Sequence, residues 1–419
     1  MEKFIVHAGG KLSGTVKISG AKNAALPILA AALLTKEKCI IQNVPPLTDV
    51  EHMLELLEGF GAKISFDRNK EEVEIEALEL VIPEEPYELA RSMRASFLVA
   101  GSLLGRLGVA KLSLPGGCQI GTRPVDLHLK GFRVMGVKDK MEYGVVDLVA
   151  KRLKGGIVYL DFPSVGATEN IMMAAVLAKG KTKIENAAAE PEIIDLANFL
   201  RGCGAKISGD GTGTIYIEGV EGLHGCSHQV IPDRIEAGTF MVGAAMTDGD
   251  VVLEGVEEEH LKPVIAKLLE CNVKTEKVAN GLRVYRKGKL LPMQLKTMPY
   301  PGFPTDMQAQ FMSLMSITKG SSLVTETMFE NRFLHAGEMQ RMGADIRIES
   351  RNAFVEGCDH ITGSQVVATD LRGGAALILL ALAAQGETEI GEIHHIERGY
   401  YHIEEKLKKL GVDIEKIQM

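Results

Sequence analysis

The chain has no surplus of positive charge. Its 47 Lys and Arg face 55 Asp and Glu, for a net charge of −8. That balance excludes a general nucleic-acid or membrane-surface binder, so an anionic ligand has to be met by local positive charge. Long apolar runs are missing too. The longest, Gly373 to Ala384, falls short of the roughly 20 residues that span a bilayer. The opening residues Met1-Glu2-Lys3-Phe4-Ile5-Val6-His7 lack a signal-peptide pattern, so a cytoplasmic protein is expected. The six cysteines (39, 118, 203, 226, 271 and 358) form no CxxC pair and no Cys/His ligand spacing. Reduced thiols and no metal site are therefore expected. His394 and His395 are adjacent, which is poor geometry for sharing one metal on a helix. What remains, at 419 residues, 46% hydrophobic and 24% charged, is the composition of a globular protein of two or three domains.

A helix-then-strand signature recurs along the chain. It reads Phe60-Gly61-Ala62-Lys63-Ile64, Met135-Gly136-Val137-Lys138 and Cys203-Gly204-Ala205-Lys206-Ile207, with weaker copies at Asn272, Gly343 and Gly411. These markers lie 68 to 75 residues apart. Glycine or asparagine after a helical run tolerates the left-handed conformation that ends a helix, and the alternation that follows is that of a half-buried strand. Between the markers lies a second element, an apolar helix followed by a turn and a short strand. Its copies include Ala24 to Leu34, Ile171 to Ala178, Phe240 to Met246, Phe311 to Ile317 and Ala375 to Ala384. These helices are apolar nearly all round and are expected to be buried, with the amphipathic marker helices outside. Six such units are too long for an ordinary solenoid period. Three units closing around one core, twice over, fit the length better.

Polar residues cluster where the buried helices begin. The clusters are Ser19-Gly20-Ala21-Lys22-Asn23, Arg91-Ser92-Met93-Arg94, Pro163 to Asn170, Pro232-Asp233-Arg234, Phe303-Pro304-Thr305-Asp306 and Thr369-Asp370-Leu371-Arg372. Helix N-termini attract phosphate and carboxylate. Ser164, Thr168, Asp306 and Asp370 are also good N-cap types, so capping alone accounts for any one of them. An arginine at a helix start opposes the dipole unless something anionic offsets it, which makes Arg94 and Arg372 more telling. Arg332 and Arg398 sit in loops, where each reads as a solvated side chain or an ion pair with Glu330 or Glu397. One loop, Leu114-Pro115-Gly116-Gly117-Cys118-Gln119-Ile120-Gly121-Thr122-Arg123, sets a thiol among glycines and ahead of an arginine. That is either a structural glycine turn with an incidental cysteine or a reachable, reactive thiol.

Taken in order, these pieces resemble the UDP-N-acetylglucosamine 1-carboxyvinyltransferase family of enolpyruvyl transferases. The resemblance runs from Phe4 to the final repeat. It rests on Ser19 to Ala25, Met93 to Ser96, Leu114 to Cys118, Gly121 to Pro124, Pro163 to Asn170, Glu190 to Glu192, Pro232 to Glu236, Phe303 to Gln310, Phe329 to Phe333 and Asp370 to Gly374. It implies an α/β fold of two domains, each an inside-out α/β barrel of three βαβαββ-type repeats around a pseudo-threefold axis. Residues 1–21 would join 231–419 as a discontinuous domain. Residues 22–230 would form the second domain and carry a mobile 113–126 loop, with the active site in the interdomain cleft.

The implied reaction joins the 3-hydroxyl of the sugar to C2 of phosphoenolpyruvate and releases phosphate, the first committed step of peptidoglycan precursor synthesis. It needs no cofactor and no metal. Both substrates are anionic small molecules, for which Lys and Arg supply counter-charge, Arg bidentately. By resemblance, Lys22, Arg123 and Arg398 bind phosphoenolpyruvate, with Arg332 and Arg372 near the reacting groups. Asn23 and Arg94 lie near the sugar and phosphates. Ser164, Val165 and Gly166 hold the diphosphate, and Pro124, Val125, Asp126, His128 and Met328 flank the nucleotide. Asp306 takes the sugar hydroxyl proton, a role that capping does not exclude. Cys118 gives a proton to C3 of phosphoenolpyruvate or bonds to it; with cysteine there, alkylation by the epoxide antibiotic fosfomycin is expected. Two departures from the family pattern, Cys271-Asn272 for a glycine marker and Glu397 for aspartate, touch no implied catalytic group. The resemblance leaves the oligomeric state open. The rival readings are a shikimate-3-phosphate enolpyruvyl transferase, which lacks the thiol loop, and a non-catalytic UDP-sugar-binding homologue. A thiol-redox protein fits least, because no second cysteine lies close in sequence to Cys118.

Overall fold

The chain folds as a mixed α/β protein whose computed structural model describes residues 2–82, 94–114, 121 and 125–418, with side chains from 96 onward in the second stretch. The described residues fall into two compact units. One combines residues 2–19 with 232–418, and the other comprises most of 20–231. Among the described residues no helix is long and apolar enough to cross a membrane.

Each unit contains three sheets. In five of the six sheets one pattern repeats: a parallel edge strand, then two antiparallel neighbours. In the sheet built on Ser321–Thr325, for example, Gln294–Lys296 pairs parallel on one side. Asn352–Glu356 and then Asp345–Glu349 follow antiparallel on the other. The hairpin after each marker explains the antiparallel part. Lys63–Asp67 pairs with Glu72–Glu76, Lys138–Glu142 with Val145–Val149, and Val273–Val278 with Gly281–Arg286. The last repeat has no second strand of its own. Its strand Asp413–Gln418 pairs instead with Glu2–His7, the first strand of the chain.

Two parallel pairings tie distant stretches together. Ser13–Lys17 lies beside Asp250–Glu254, and Ser227–Gln229 lies beside Cys39–Gln42. Repeat spacing carries no signal for this exchange, because a parallel edge strand can be supplied from anywhere the chain can reach.

The markers end helices as their residue types demand. Gly61, Gly136, Gly204, Asn272, Gly343 and Gly411 all have positive φ, between 67° and 100°. The following amide closes the left-handed cap at Ala62 to Leu57, Val137 to Phe132, Ala205 to Leu200, Ala344 to Met339 and Val412 to Leu407. This is the Schellman geometry. Asn272 does the work of glycine because its short amide tolerates that conformation, and its Nδ2 donates to the Lys289 carbonyl at 2.8 Å.

The apolar helices are buried as expected. In the first unit Arg234–Met246, Gln308–Ser316 and Leu371–Ala383 run through one hydrophobic core. Every residue of Gln308–Ser316 is buried, so its polar groups need internal partners. Ser313 Oγ, for instance, donates to the Ala376 carbonyl at 2.7 Å. In the second unit the corresponding helices are Lys22–Ala31, Val99–Leu107 and Val165–Ala175. Gly20 precedes the first of them because no other residue fits. A Cβ there would lie 1.8 Å from the Asn43 carbonyl oxygen.

Candidate active site

In the first unit three sequence-distant charged residues meet. Asp306 sits on the short 3₁₀ turn Thr305–Met307 that leads into Gln308–Ser316. Arg332 lies in the turn before His335–Arg341, and Arg372 lies in the first turn of Leu371–Ala383. Arg332 Nη2 donates to Asp306 Oδ1 at 2.9 Å. Arg372 donates to Oδ2 from Nε at 3.2 Å and from Nη2 at 3.0 Å. Both arginines are buried, with side chains 4% and 3% exposed, while the Asp306 side chain is 27% exposed. The carboxylate is thus the open edge of a buried cationic cluster.

This geometry corrects several expectations. Asp306 is not a cap: Pro304 occupies that position and no side-chain cap forms. Arg332 is neither solvated nor paired with Glu330 but bound to Asp306. The charge at the start of Arg372's helix is offset by the protein's own Asp306. The Glu397 carboxylate holds Lys416. Arg398 is half-buried after the short helix His394–Glu397, close enough to depress the His395 pKa after burial and His394. Met328 is also half-buried in this unit.

The cluster is held from behind. Asp370 caps its helix by accepting from the amides of Arg372 and Gly373 at 3.0 and 3.1 Å, which fixes the arginine's backbone. The Arg372 guanidinium lies 5.4 Å from the centre of the Tyr400 ring, a cation–π distance. Tyr400 is buried, its hydroxyl 2.9 Å from Thr239 Oγ1, and Gln310 Nε2 donates to both at 3.2 Å. Burial works against the Arg372 charge, but Tyr400, Asp306 and Asp233 outweigh it and hold its pKa above the ordinary value. Its Nη1 is buried with no hydrogen-bond partner. A guanidinium N–H left unmade in a dry site is costly.

Glu326 anchors the neighbouring turn. It is fully buried and accepts from Thr297 Oγ1 and Thr305 Oγ1, each at 2.9 Å, and from the amides of Met328 and Phe329. Sequence reasoning missed Glu326, Tyr400, Thr239 and Gln310. An acid at the end of the strand Ser321–Thr325 was the available signal for the first. The other three carried none beyond polarity inside apolar runs.

His335, at the start of its helix, is buried beside Asp370 and Arg332. Burial pushes its pKa down to about 4. The unfolded chain therefore binds a proton below about pH 6.5 that the folded protein refuses. The resulting stability is complete above that pH and is lost as the pH falls toward 4, by up to about 3 kcal/mol. Melting curves from pH 7.5 to 4.5 should show a shallower loss for His335→Leu than for the native chain. Parallel curves would show that His335 is not held neutral.

In the second unit Lys22, the first residue of its helix, is buried with Nζ 2.9 Å from Asp49 Oδ2. It is an ion-paired lysine, not a solvated cation. Asn23 beside it is exposed. Ser164 caps Val165–Ala175, its Oγ accepting from the Ala167 amide at 3.4 Å. Ser164, Val165 and Gly166 are half-exposed there, so this helix start keeps amide donors within reach of an anion. Thr168 is not a cap; its hydroxyl donates to the Ser164 carbonyl at 2.8 Å and receives the Ala188 amide.

His128 packs edge-on to Phe97 at 5.2 Å, with Nδ1 2.9 Å from Asn170 Nδ2. Asn170 also accepts from the Gly101 amide at 2.7 Å and donates to the Phe97 carbonyl at 2.9 Å, so it ties Val165–Ala175 to the start of Val99–Leu107. Gly166 lets His128 approach: a Cβ would meet its Cε1 at 3.3 Å. Val125 is buried and Asp126 exposed. Cys118, Arg123, Pro124 and the side chain of Arg94 lie outside the described residues. The adjacent histidines do converge. With Glu392, His394 and His395 offer ligand atoms within 4.8 Å of one another at the surface, which the sequence reading discounts.

A carboxylate at the rim of a buried arginine pair lies in one unit, and a buried lysine and a helix start with accessible amide donors lie in the other. The profile for EPSP synthase (3-phosphoshikimate 1-carboxyvinyltransferase) matches residues 6–407, and the chain belongs to this family. It is 58% identical over 419 residues, covering all of both chains, to UDP-N-acetylglucosamine 1-carboxyvinyltransferase 2 of Carboxydothermus hydrogenoformans. It is 56% identical over 412 residues to UDP-N-acetylglucosamine 1-carboxyvinyltransferase 1 of Caldanaerobacter subterraneus subsp. tengcongensis, covering 98% of this chain and 99% of that one. Among solved structures, the enolpyruvyl transferase NikO from Streptomyces tendae superposes with a TM-score of 0.90 at 27% identity, covering 100% and 99% of the two chains. EPSP synthase from Acinetobacter baumannii, at 21% identity, matches in fold with a TM-score of 0.78 over the whole of both chains.

Proposed function

We propose that this protein transfers the enolpyruvyl group of phosphoenolpyruvate to the 3-hydroxyl of UDP-N-acetylglucosamine and releases phosphate. This would be the opening step of peptidoglycan precursor synthesis, carried out in the cytoplasm. Identity across the full length to relatives of that name supports the substrate pair. The observation that carries the chemistry is the Asp306 carboxylate bound by both Arg332 and Arg372. The reading takes each unit's three sheets and buried helices as three repeats of an inside-out α/β barrel. It assigns the charged residues of both units to one pair of substrates.

In the reaction so read, Asp306 accepts the proton of the sugar 3-hydroxyl as its oxygen bonds to C2 of phosphoenolpyruvate. A carboxylate with guanidinium donors on both oxygens is a poor base. Its Arg contacts must therefore pass to the incoming phosphate and carboxylate before it can take the proton. Arg372 Nη1 is already free of a protein partner for that exchange. Cys118 gives a proton to C3 of phosphoenolpyruvate or bonds to the substrate. Phosphate then leaves C2, C3 gives up a proton, and the double bond is restored. Lys22, Arg123 and Arg398 hold phosphoenolpyruvate, with Asn23 and Arg94 toward the sugar and phosphates. Ser164, Val165 and Gly166 hold the diphosphate, with Pro124, Val125, Asp126, His128 and Met328 about the nucleotide.

The test is phosphate release from phosphoenolpyruvate with UDP-N-acetylglucosamine and, separately, with shikimate-3-phosphate as acceptor. Release with the nucleotide sugar alone is expected. Release with shikimate-3-phosphate alone would transfer the chain to the sibling reaction. Tight nucleotide-sugar binding with no release would make it a binding protein.

A further inference from the structure

Three cysteines far apart in sequence converge in the second unit. Cys39 opens the strand Cys39–Gln42, Cys203 follows the helix Pro191–Gly202, and Cys226 leads into Ser227–Gln229, the parallel partner of the first strand. The Ile40 amide bonds the Cys226 carbonyl at 2.9 Å, which locks the two strand starts side by side. The sulfurs of Cys203 and Cys226 are 3.2 Å apart, and Cys39 lies beside both. All three are free cysteines; Cys39 and Cys203 are buried, and Cys226 is half-buried. Nothing in the transfer reaction uses them.

Buried cysteines ordinarily act as small apolar filler. These differ in two respects. The Cys203 and Cys226 sulfurs are in contact, only about 1 Å beyond a disulfide bond length, and Cys226 reaches the surface.

We propose that Cys203 and Cys226, with Cys39 alongside, form an oxidation site that hydrogen peroxide closes to a disulfide. The Cys226 sulfur, its proton passed to its neighbours or to water, attacks a peroxide oxygen. The O–O bond breaks, hydroxide leaves as water, and a sulfenic acid forms. The Cys203 sulfur then attacks the Cys226 sulfur. The S–O bond breaks, the S–S bond forms, and the departing hydroxide takes the Cys203 proton as a second water. Two thiols and one peroxide give one disulfide and two waters. The bond fastens the end of the Pro191–Gly202 helix to the strand that completes its neighbouring sheet.

Tryptic mapping of the full-length protein tests this. Cleavage after Lys38, Lys63, Arg201, Lys206 and Arg234 places Cys39, Cys203 and Cys226 in the separate peptides 39–63, 202–206 and 207–234. Folded protein is treated with hydrogen peroxide, the peroxide is removed, and the protein is unfolded in denaturant with iodoacetamide present and digested without reduction. The expected result is loss of alkylation at Cys203 and Cys226, and appearance of 202–206 joined to 207–234 in monomeric protein. Peptide 39–63 should remain alkylated. Three alkylated thiols, a link involving Cys39, or a link confined to covalent dimers would overturn the proposal.

Discussion

Asp306→Asn is expected to lower kcat for phosphate release by about 10²–10⁴-fold, the range for loss of a positioned general base. Affinity for the nucleotide sugar should change little, because the amide keeps the shape of the side chain. The physical cost has a second part. An asparagine accepts from one guanidinium through Oδ1 but turns an NH2 group toward the other. Arg332 and Arg372, each nearly inaccessible, then share a neutral partner. Breaking a fully buried ion pair costs about 3–5 kcal/mol. Asp306 is partly open to water, so a loss of about 1–3 kcal/mol is expected here after solvent screening. Added phosphoenolpyruvate should recover part of that loss by replacing the missing negative charge. A variant with kcat within about threefold of the native value would remove Asp306 from proton transfer.

Arg372→Met separates catalysis from stability in the opposite way. The guanidinium is buried, one of its nitrogens has no partner, and an apolar side chain of similar length relieves that desolvation. Asp306 keeps Arg332 as its partner, so no charge is stranded. Turnover should fall by about 10²–10³-fold, as for loss of one donor that stabilises charge developing in the transition state. The melting temperature should fall moderately, because Tyr400 and Asp306 more than offset the burial of the charge. A large drop in melting temperature with turnover preserved would make Arg372 a structural residue. Measuring both quantities on one preparation decides between them.

Much of the fold was legible because it depends on local chemistry. Glycine and Asn272 mark helix ends because few other residues adopt positive φ cheaply, so the six-fold repetition showed in one-dimensional spacing. The buried helices showed because all their faces are apolar. The strand exchange was not legible. Nothing in Glu2–His7 says that it pairs with Asp413–Gln418, and nothing in Ser227–Gln229 says that it pairs with Cys39–Gln42. These are consequences of closure, which local pattern does not encode.

The site followed the same division. Arg372 stood out because a cation at a helix start needs an explanation, and Asp306 stood out through the family pattern. Their mutual pairing was not readable, since it joins residues 66 positions apart. Tyr400, which the structure places against Arg372, carried no signal of that role. The pairing of Lys22 with Asp49 was not readable either, because Asp49 lies in the next helix. The Cys39, Cys203 and Cys226 cluster escaped for the related reason that cysteine spacing was searched along the sequence, whereas the strand pairing assembles it in space.

The most direct measurement is a phosphate-release assay on the native chain, with phosphoenolpyruvate present and UDP-N-acetylglucosamine added last, run before and after alkylation of the thiols. Phosphate should appear only on addition of the nucleotide sugar and should stop when Cys118 is modified. Release independent of the sugar, or undiminished with Cys118 fully alkylated, would contradict the account.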